Sequence, residues 1–235
     1  MIRDLQFIYE DYYGCTKCPL YRLRSQMTEP FGNKNAKWFF VVSPPDEEAD
    51  SLDSDGRALT GHRLRKFVDL VGRAGIDMSD VRVSPVTLCL PQTSSGDDRP
   101  PTDRELRNCM PRMREEILAV DPTILVLVGA QAVRPFWTGQ KAKITKIANT
   151  FREIDVTSGR FSARFPTLIL RSLDAFLTQD PDWSPNGLGR KAIDSLQVAL
   201  RFVQFLEDLR NNPDNALSLR YSMPELIYQQ KLDNF

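Results

Sequence analysis

Four cysteines are the residues whose spacing points most directly to chemistry. Cys15 and Cys18 form a C-x-x-C pair near the start of the chain, and Cys89 and Cys109 follow much later. Four thiolates can bind a structural zinc ion or a cubane iron–sulfur cluster, and a C-x-x-C pair can also be a redox centre. A thioredoxin-type redox pair follows a strand, whereas this pair precedes every strand that the sequence predicts. The spacing therefore favours a metal centre and leaves a redox pair or simply buried thiols as alternatives.

Short apolar runs of strand length alternate with amphipathic helices along the chain. We predict strands at 38–42, 81–88, 123–129 and 166–171, and helices at 62–75, 100–120 and 189–210. Thr102 and Glu105 form a capping box at the start of the second helix, and Pro111 predicts a kink or a break inside it. Because strands separated by helices form parallel sheets, the predicted fold class is α/β, with helices covering both faces of the sheet.

Length and composition indicate one domain and a short tail. The chain has 235 residues and a formal net charge of zero, so any binding of nucleic acid must use local basic patches. We assign residues 1–211 to the domain. The tail, 212–235, contains apolar residues and prolines, and we expect it to pack on the domain or to dock on a protein partner. No apolar run has membrane-spanning length and no signal peptide is evident, so we expect no membrane association and a cytoplasmic location.

Several motifs occur in an order that resembles one protein family. In chain order they are C-x-x-C-P-L at 15–20, VVSPPDEE at 41–48, DGRALTG at 55–61, Cys89, DRPPTDREL at 98–106, Cys109 and DPTILVLVGAQA at 121–132. This order resembles the iron–sulfur (family four) uracil-DNA glycosylases, and the resemblance extends over residues 12–210. It implies a three-layer α/β/α sandwich with a mostly parallel central sheet. It also implies a [4Fe–4S] cluster, which would be held by Cys15, Cys18, Cys89 and Cys109.

The positions that carry catalysis in this family differ here. The family's Gly-Glu-Ala-Pro-Gly motif matches 42–46, which places Ser43 where the family has an acid. Pro85 occupies the place of the Asn that reads the uracil edge, and it offers no side-chain amide. The segment 167–181 contains no histidine, although the family has a His-Pro turn there. If the protein is active, our candidates are Ser43 or Asp46 to position water and Arg171 to stabilise the departing base.

Charged residues cluster locally despite the neutral total. An acidic run of six carboxylates between Asp46 and Asp55 is interpreted as a solvated loop, with magnesium binding or an acidic partner surface as alternatives. The candidates for contact with nucleic-acid phosphates are Arg63, Lys66, Lys141, Lys143, Lys146 and Arg152.

Two functions follow from these observations. The first hypothesis is a glycosylase-fold protein that binds DNA, or serves as a subunit of a replication or repair assembly, without excising uracil. The alternative is an active DNA glycosylase that removes uracil or another altered base with a remodelled pocket. We favour the first because three catalytic positions differ together. In both cases the expected partner is DNA, single-stranded or locally opened, because a glycosylase must reach an unstacked base.

Overall fold

A computed structural model describes residues 3–137 and 143–211. Its centre is a six-stranded sheet of order β1-β3-β2-β4-β6-β5. The strands are β1 (Phe31–Gly32), β2 (Trp38–Val42), β3 (Val81–Pro85), β4 (Ile124–Val128), β5 (Thr150–Ser158) and β6 (Phe161–Leu170). The four central strands are parallel, and β1 and β5 pair antiparallel at the two edges. The predicted α/β fold with a mostly parallel sheet is confirmed.

Helices cover both faces of this sheet. They are α1 (Leu5–Tyr12), α2 (Glu47–Asp50), α3 (Gly61–Arg73), α4 (Asp103–Val120), α5 (Ala130–Val133), α6 (Ile144–Ile147), α7 (Leu173–Gln179) and α8 (Leu188–Asn211). One apolar cluster joins α3, α7 and α8 to the sheet, and the other joins α1, α4 and α5 to the opposite face. Strand β2 shows why the sheet is covered twice. Its side chains alternate between the two clusters, with Phe40 in the first and Phe39 in the second.

The structure corrects four details of the sequence prediction. Strand β3 ends at Pro85 rather than at residue 88, and β6 begins at Phe161, five residues before the predicted start. Strand β5 was not predicted at all, because it is an edge strand with many exposed residues and lacks a continuous apolar run. Helix α4 continues through Pro111 without a break. Its capping box at Thr102 is present as predicted, and its buried residues on both sides of the proline hold the helix in place.

Two further expectations concern the end of the described part of the chain. The tail 212–235 lies outside them, and the domain boundary at 211 stays a prediction. Within the described residues, no helix combines the length and the apolarity that a membrane span requires.

A buried network of charged groups joins three elements. The Glu116 carboxylate of α4 is fully buried and accepts hydrogen bonds from Arg82 Nε at 2.9 Å and from Ser84 Oγ and Arg112 Nη1 at 2.7 Å. Tyr9 of α1 donates its hydroxyl to the same carboxylate at 2.5 Å. Burial and then the nearby Glu116 charge raise the pKa of the Tyr9 phenol. We call these five residues the Glu116 network.

Replacement of Glu116 by Gln should destabilise the protein strongly. The variant would leave two buried guanidinium groups without a carboxylate, and breaking a buried pair in this way costs about 3–5 kcal/mol. The free energy of unfolding, measured in urea, should fall by that order. Its neighbour Glu115 pairs with Arg3 at the surface, 3.2 Å apart, so Glu115→Gln should change stability by less than about 1 kcal/mol. Equal stability of the two variants would contradict the proposed importance of the network.

Candidate active site and cysteine cluster

The carboxyl ends of the parallel strands meet at one edge of the sheet. Ser43 directly follows β2, Gly129 follows β4, and Ser172 lies two residues after β6. Gly129 has φ +95°, and a Cβ atom placed there would lie 3.0 Å from both Ser43 Oγ and Ser172 Cβ. The three strand ends are therefore packed so closely around Gly129 that no larger side chain fits. Open α/β sheets bind ligands at this edge.

A small cavity lies at this edge. We call the cavity and the residues that line it the strand-end site. Its volume is about 10 Å³, which is room for about one water molecule. It is lined by Val42, Ser43, Leu59, Arg63, Val128, Leu173 and Asp174. The walls are apolar apart from one hydroxyl, one guanidinium and one carboxylate. A nucleobase can enter only after a wall moves.

The guanidinium of Arg63 closes the cavity by pairing with two carboxylates. Its Nε donates to Asp174 Oδ1 at 2.7 Å and lies 3.2 Å from Asp46 Oδ2. Its Nη1 donates to the carbonyl oxygen of Pro44 at 3.3 Å. The second oxygen of Asp46 accepts from the backbone N–H of Ala49 and so caps α2. Both carboxylate oxygens of Asp46 therefore already have partners. Asp174, in contrast, is the carboxylate that lines the cavity.

The other predicted catalytic positions have clear placements. Arg171 is half-buried between the end of β6 and the start of α7. Pro85 is the last residue of β3 and pairs in register with Val42, so it lies beside the strand-end site. Its carbonyl oxygen accepts from Arg112 Nη2 at 2.7 Å. Neither the ring nor the engaged carbonyl provides the amide that would read a uracil edge.

The residues predicted to contact phosphates are not all at the surface. Lys66 is buried, and its amine donates to the carbonyl oxygens of Pro181 at 2.6 Å and of Asp180 at 3.3 Å. Burial lowers the pKa of this amine. The same amine lies 3.6 Å from the ring centroid of Trp183, so Lys66 holds α3 against the segment before α8 rather than facing DNA.

The remaining basic candidates divide into two groups. Arg63 is engaged in the strand-end site, as described above. Lys143 and Lys146 at α6 and Arg152 on β5 are exposed and lie near one another in the chain. Lys141 lies outside the described residues.

The four cysteines come from three separate segments. Cys15 and Cys18 lie just after α1, and Cys109 lies inside α4. Arg24 joins two of the segments, since its Nη1 donates to the carbonyl oxygen of Cys15 at 3.0 Å and to Cys89 Sγ at 3.1 Å. Asn108 Nδ2 donates to the carbonyl oxygen of Lys17 at 2.9 Å, which ties α4 to the C-x-x-C loop.

The thiols also influence one another's acidity. Burial raises the pKa of Cys89 to about 11, the Arg24 guanidinium opposes this, and charges on Cys109 and Cys18 add to it. Burial likewise raises the pKa of Cys109, with contributions from Cys18 and Cys15. Together with the hydrogen bonds of Arg24 and Asn108, these links show that the cysteines come from neighbouring segments. Across residues 3–137 and 143–211, no group of three or more His, Cys, Asp or Glu side chains is placed to hold a single metal ion.

Comparison with known proteins then identifies the family. The family model described as "Uracil DNA glycosylase superfamily" matches residues 29–194. The chain belongs to this superfamily. Several curated relatives carry the name type-4 uracil-DNA glycosylase. One from Thermotoga maritima is 27% identical over 202 residues, which is 85% of this chain and 95% of the relative. One from Saccharolobus solfataricus is 22% identical over 144 residues, with 61% of this chain and 64% of the relative covered.

The third relative, from Archaeoglobus fulgidus, is 23% identical over 133 residues, or 57% of this chain and 63% of its own length. The last two matches thus cover less than two thirds of those relatives. The superfamily assignment confirms the resemblance inferred from the motifs. Membership supports a role in processing DNA, and it does not establish the predicted loss of uracil excision.

Two residues of this superfamily member were missed by the sequence analysis. Asp174 lines the strand-end site, yet it lies 111 residues from its partner Arg63. Its position two residues after Ser172, close to where the family carries a His-Pro turn, was a usable signal. Trp137 contacts the Arg152 guanidinium, which lies 4.9 Å from the ring centroid. No local pattern connects these two residues, because the contact joins the segment after β4 to the edge strand β5.

Replacement of Gly129 by Ala should disrupt the strand-end site. The new methyl group would lie 3.0 Å from two atoms of neighbouring segments, and φ +95° with ψ 161° is a conformation that is essentially restricted to glycine. The expected loss in unfolding free energy is roughly 2 kcal/mol or more. Gly159 offers a matched control, because it has φ +57° and a methyl group added there would meet no atom within 4 Å. Gly159→Ala should cost only about 1 kcal/mol, and an equal loss in both variants would contradict the close packing.

Proposed function

We propose that this protein is a DNA glycosylase with a remodelled pocket, which releases an altered base from single-stranded or locally opened DNA. The observation that supports this most directly is the grouping of Ser43, Arg63 and Asp174 around a cavity at the strand ends. The superfamily membership and the names of the relatives favour the same function. The proposal replaces our first hypothesis of binding without excision, which remains the competing outcome of the experiment below.

The chemistry of glycosidic cleavage assigns a role to each group. When the bond between C1′ and the base nitrogen breaks, the bonding electrons leave with the base and the sugar develops oxocarbenium character. Asp174 is the carboxylate that would stabilise the positive sugar and accept a proton from the attacking water. Ser43 Oγ would hold that water, whose oxygen forms the new bond to C1′. Arg171 would stabilise the negative charge of the departing base.

Arg63 would control access to these groups. A flipped base needs far more space than the present cavity provides, so the guanidinium must leave Asp174 before the base can enter. A DNA phosphate can attract this guanidinium because arginine binds phosphate as readily as carboxylate. Binding of DNA and opening of the cavity would thus be coupled through one side chain.

The remodelled pocket should recognise uracil poorly. A site that hydrogen-bonds a base edge rejects analogues strongly, because a mismatched base leaves buried polar groups unpaired. Pro85 stands where the family's reading amide lies, and its carbonyl is already bound by Arg112. We therefore expect another altered base to be the preferred substrate.

Replacement of Asp174 by Asn should abolish most base release. The assay uses a panel of oligonucleotides with different altered bases, uracil included, followed by alkaline cleavage of abasic sites. With the best substrate of the panel, Asp174→Asn should lower the rate by roughly 10²- to 10³-fold, the usual effect of removing one group that stabilises the transition state. Release of uracil should be slower than release of this best substrate.

The control for this prediction is another aspartate that pairs with an arginine. Asp155 Oδ1 accepts from Arg164 Nε at 2.8 Å on the exposed β5–β6 hairpin, away from the strand-end site. Asp155→Asn should retain full activity. If the wild-type protein binds the oligonucleotides and releases no base, the proposal is wrong and the function without excision is supported.

We also propose that Cys15, Cys18, Cys89 and Cys109 hold a [4Fe–4S] cluster. Their neighbouring segments, the backbone contacts of Arg24 and Asn108, and the hydrogen bond from Arg24 to Cys89 Sγ suit such a group. A zinc ion is the competing occupant, because four thiolates also form a tetrahedral zinc site. A [4Fe–4S] cluster would take one thiolate at each of its four irons, so these four cysteines would supply its full set of ligands. When bound, the cluster would fasten the N-terminal segment to the core, and the strand-end chemistry does not pass through it.

Replacement of Cys109 by Ser should remove iron from the protein and lower its stability. Iron and acid-labile sulfide, measured per folded molecule after anaerobic preparation, should be close to four in the wild type and strongly reduced in the variant. Met113→Ala is the matched control, since Met113 is fully buried one turn further along α4. It should lower stability by about 2–5 kcal/mol without changing the iron content of the folded fraction. Stoichiometric zinc without iron in the wild type would contradict the proposal.

The cytoplasmic location and the docking of the tail on a protein partner remain predictions from the sequence alone.

A further inference from the structure

The contact between Trp137 and Arg152 has no role in the proposed chemistry. The guanidinium carbon of Arg152 lies 4.9 Å from the indole centroid, inside the distance of about 6 Å that defines a cation–π pair. Arg152 is exposed and Trp137 is half-buried. Trp137 packs against the apolar cluster that joins α1, α4 and α5 to the sheet, together with Phe136 and Ile144. The ring is therefore held in place while the guanidinium covers it from the solvent side.

This pair lies toward the C-terminal end of β6, on the face of the sheet opposite to the cavity. The apolar residues that line the cavity belong to the cluster of α3, α7 and α8, whereas Trp137 packs in the cluster of α1, α4 and α5. Trp137 follows a short 3-10 helix, Arg134–Phe136, that continues from α5 just after Gly129. Arg152 pairs in register with Thr167 of β6, three residues before that strand ends at Leu170. At about 3.3 Å per residue, Arg152 lies roughly 10 Å from the C-terminal end of β6, measured along the strand.

Two lysines occur in the segment just before β5. Lys143 and Lys146 at α6 are both exposed. The carboxylates next to Arg152 on β5 are already paired, since Arg164 lies 2.8 Å from Asp155 Oδ1 and 3.8 Å from Glu153 Oε2. An anionic chain can therefore approach Arg152 without having to displace a carboxylate from its guanidinium.

The second partly buried tryptophan of the described residues shows what a purely structural pair looks like. Trp183 lies under the buried amine of Lys66, donates its indole N–H to Asp69, and packs on the core beneath α3 and α8. The Lys66 amine above this ring donates to two backbone carbonyl oxygens. Arg152 differs because its residue is exposed at the surface.

We infer that Trp137 and Arg152 form a stacking platform for an unpaired base of single-stranded DNA. The inference rests on the proposed function. Unpaired bases stack on aromatic rings and on guanidinium planes, and neighbouring lysines bind the connecting phosphates. A duplex hides its bases, so the platform selects single-stranded or locally opened DNA. The outer face of the Arg152 guanidinium would contact the base, and the indole would hold that plane in place.

Tryptophan fluorescence provides a direct test. The chain contains three tryptophans, of which Trp38 is buried in the core. A Trp183→Phe background leaves Trp137 as the partly exposed fluorophore. Two oligonucleotides of equal length are titrated into this protein, one with normal bases and one with abasic sites at every position. We expect the first to quench the fluorescence and the second to bind without the same quenching.

Binding constants of variants complete the test. Trp137→Leu should weaken binding of the normal oligonucleotide by roughly 5- to 150-fold, the range for loss of one stacked base, and leave binding of the abasic one unchanged. Arg152→Lys keeps the charge and removes the planar group, so it should produce a similar selective loss. Lys146→Glu is the charge control and should weaken both oligonucleotides equally. Thermal unfolding verifies that the variants remain folded. Trp137→Phe is the control variant that keeps an aromatic ring.

The possible failures are distinguishable. If Trp137→Leu weakens both oligonucleotides equally, or neither, the platform is wrong even when the wild type releases a base. If an acidic peptide competes as well as single-stranded DNA and quenches Trp137 equally, the surface is a protein site and the inference is overturned. If the wild type releases no base while the selective loss is observed, the platform stands and the proposed glycosylase function fails.

Discussion

The buried carboxylate of Glu116 determines how three parts of the chain are arranged. It lies between Arg82 of β3 and Arg112 of α4, and it also accepts from Tyr9 of α1. Two guanidinium groups in an apolar interior require a carboxylate at this position, because an unpaired buried charge would be very unfavourable. The three elements joined here are also those that lead to the cysteines. Helix α1 precedes the C-x-x-C pair, β3 precedes Cys89, and α4 carries Cys109. A single ionic network thus sets the frame in which a four-cysteine centre can form.

The same network reaches the strand-end site through Arg112. Its second guanidinium nitrogen binds the carbonyl oxygen of Pro85, the residue that lies beside the cavity. On the other side of the cavity, Arg63 is held by Asp174 and Asp46 at the surface. Partly exposed ion pairs contribute only about 0–1 kcal/mol, far less than a fully buried network. The end of β3 beside the cavity is thus tied to a buried network, whereas Arg63 is held by weaker, partly exposed ion pairs.

Any contact of this protein with DNA would depend on local charge rather than on total charge. The formal net charge is zero, and the acidic run 46–55 lies beside the strand-end site. The exposed basic residues lie elsewhere, at α6 and on the edge strand β5. They are Lys143, Lys146 and Arg152. DNA would consequently approach from the β5 side and extend toward the cavity.

The sequence by itself determined the elements whose signals are local. The continuous apolar runs of β2 and β4, the capping box at Thr102 and the order of the family motifs are all readable within short windows, because each depends on neighbours along the chain. Strand β5 escaped prediction, since an edge strand with exposed residues has no such run. The role of Lys66 was also hidden, because its charge suggested the surface while its position in α3 directs it against Trp183.

Only the tertiary structure decided which charges meet. Arg63 and Asp174 are separated by 111 residues, and Arg82 and Glu116 by 34. Hydrophobic periodicity specifies which face of an element is buried, but an ion pair depends on the distance between two elements and on their register. The crossover connections of a parallel sheet bring strand ends together from distant parts of the chain. For this reason the cysteines and the strand ends could be named from the sequence, whereas the closed cavity and the Trp137–Arg152 contact required the fold.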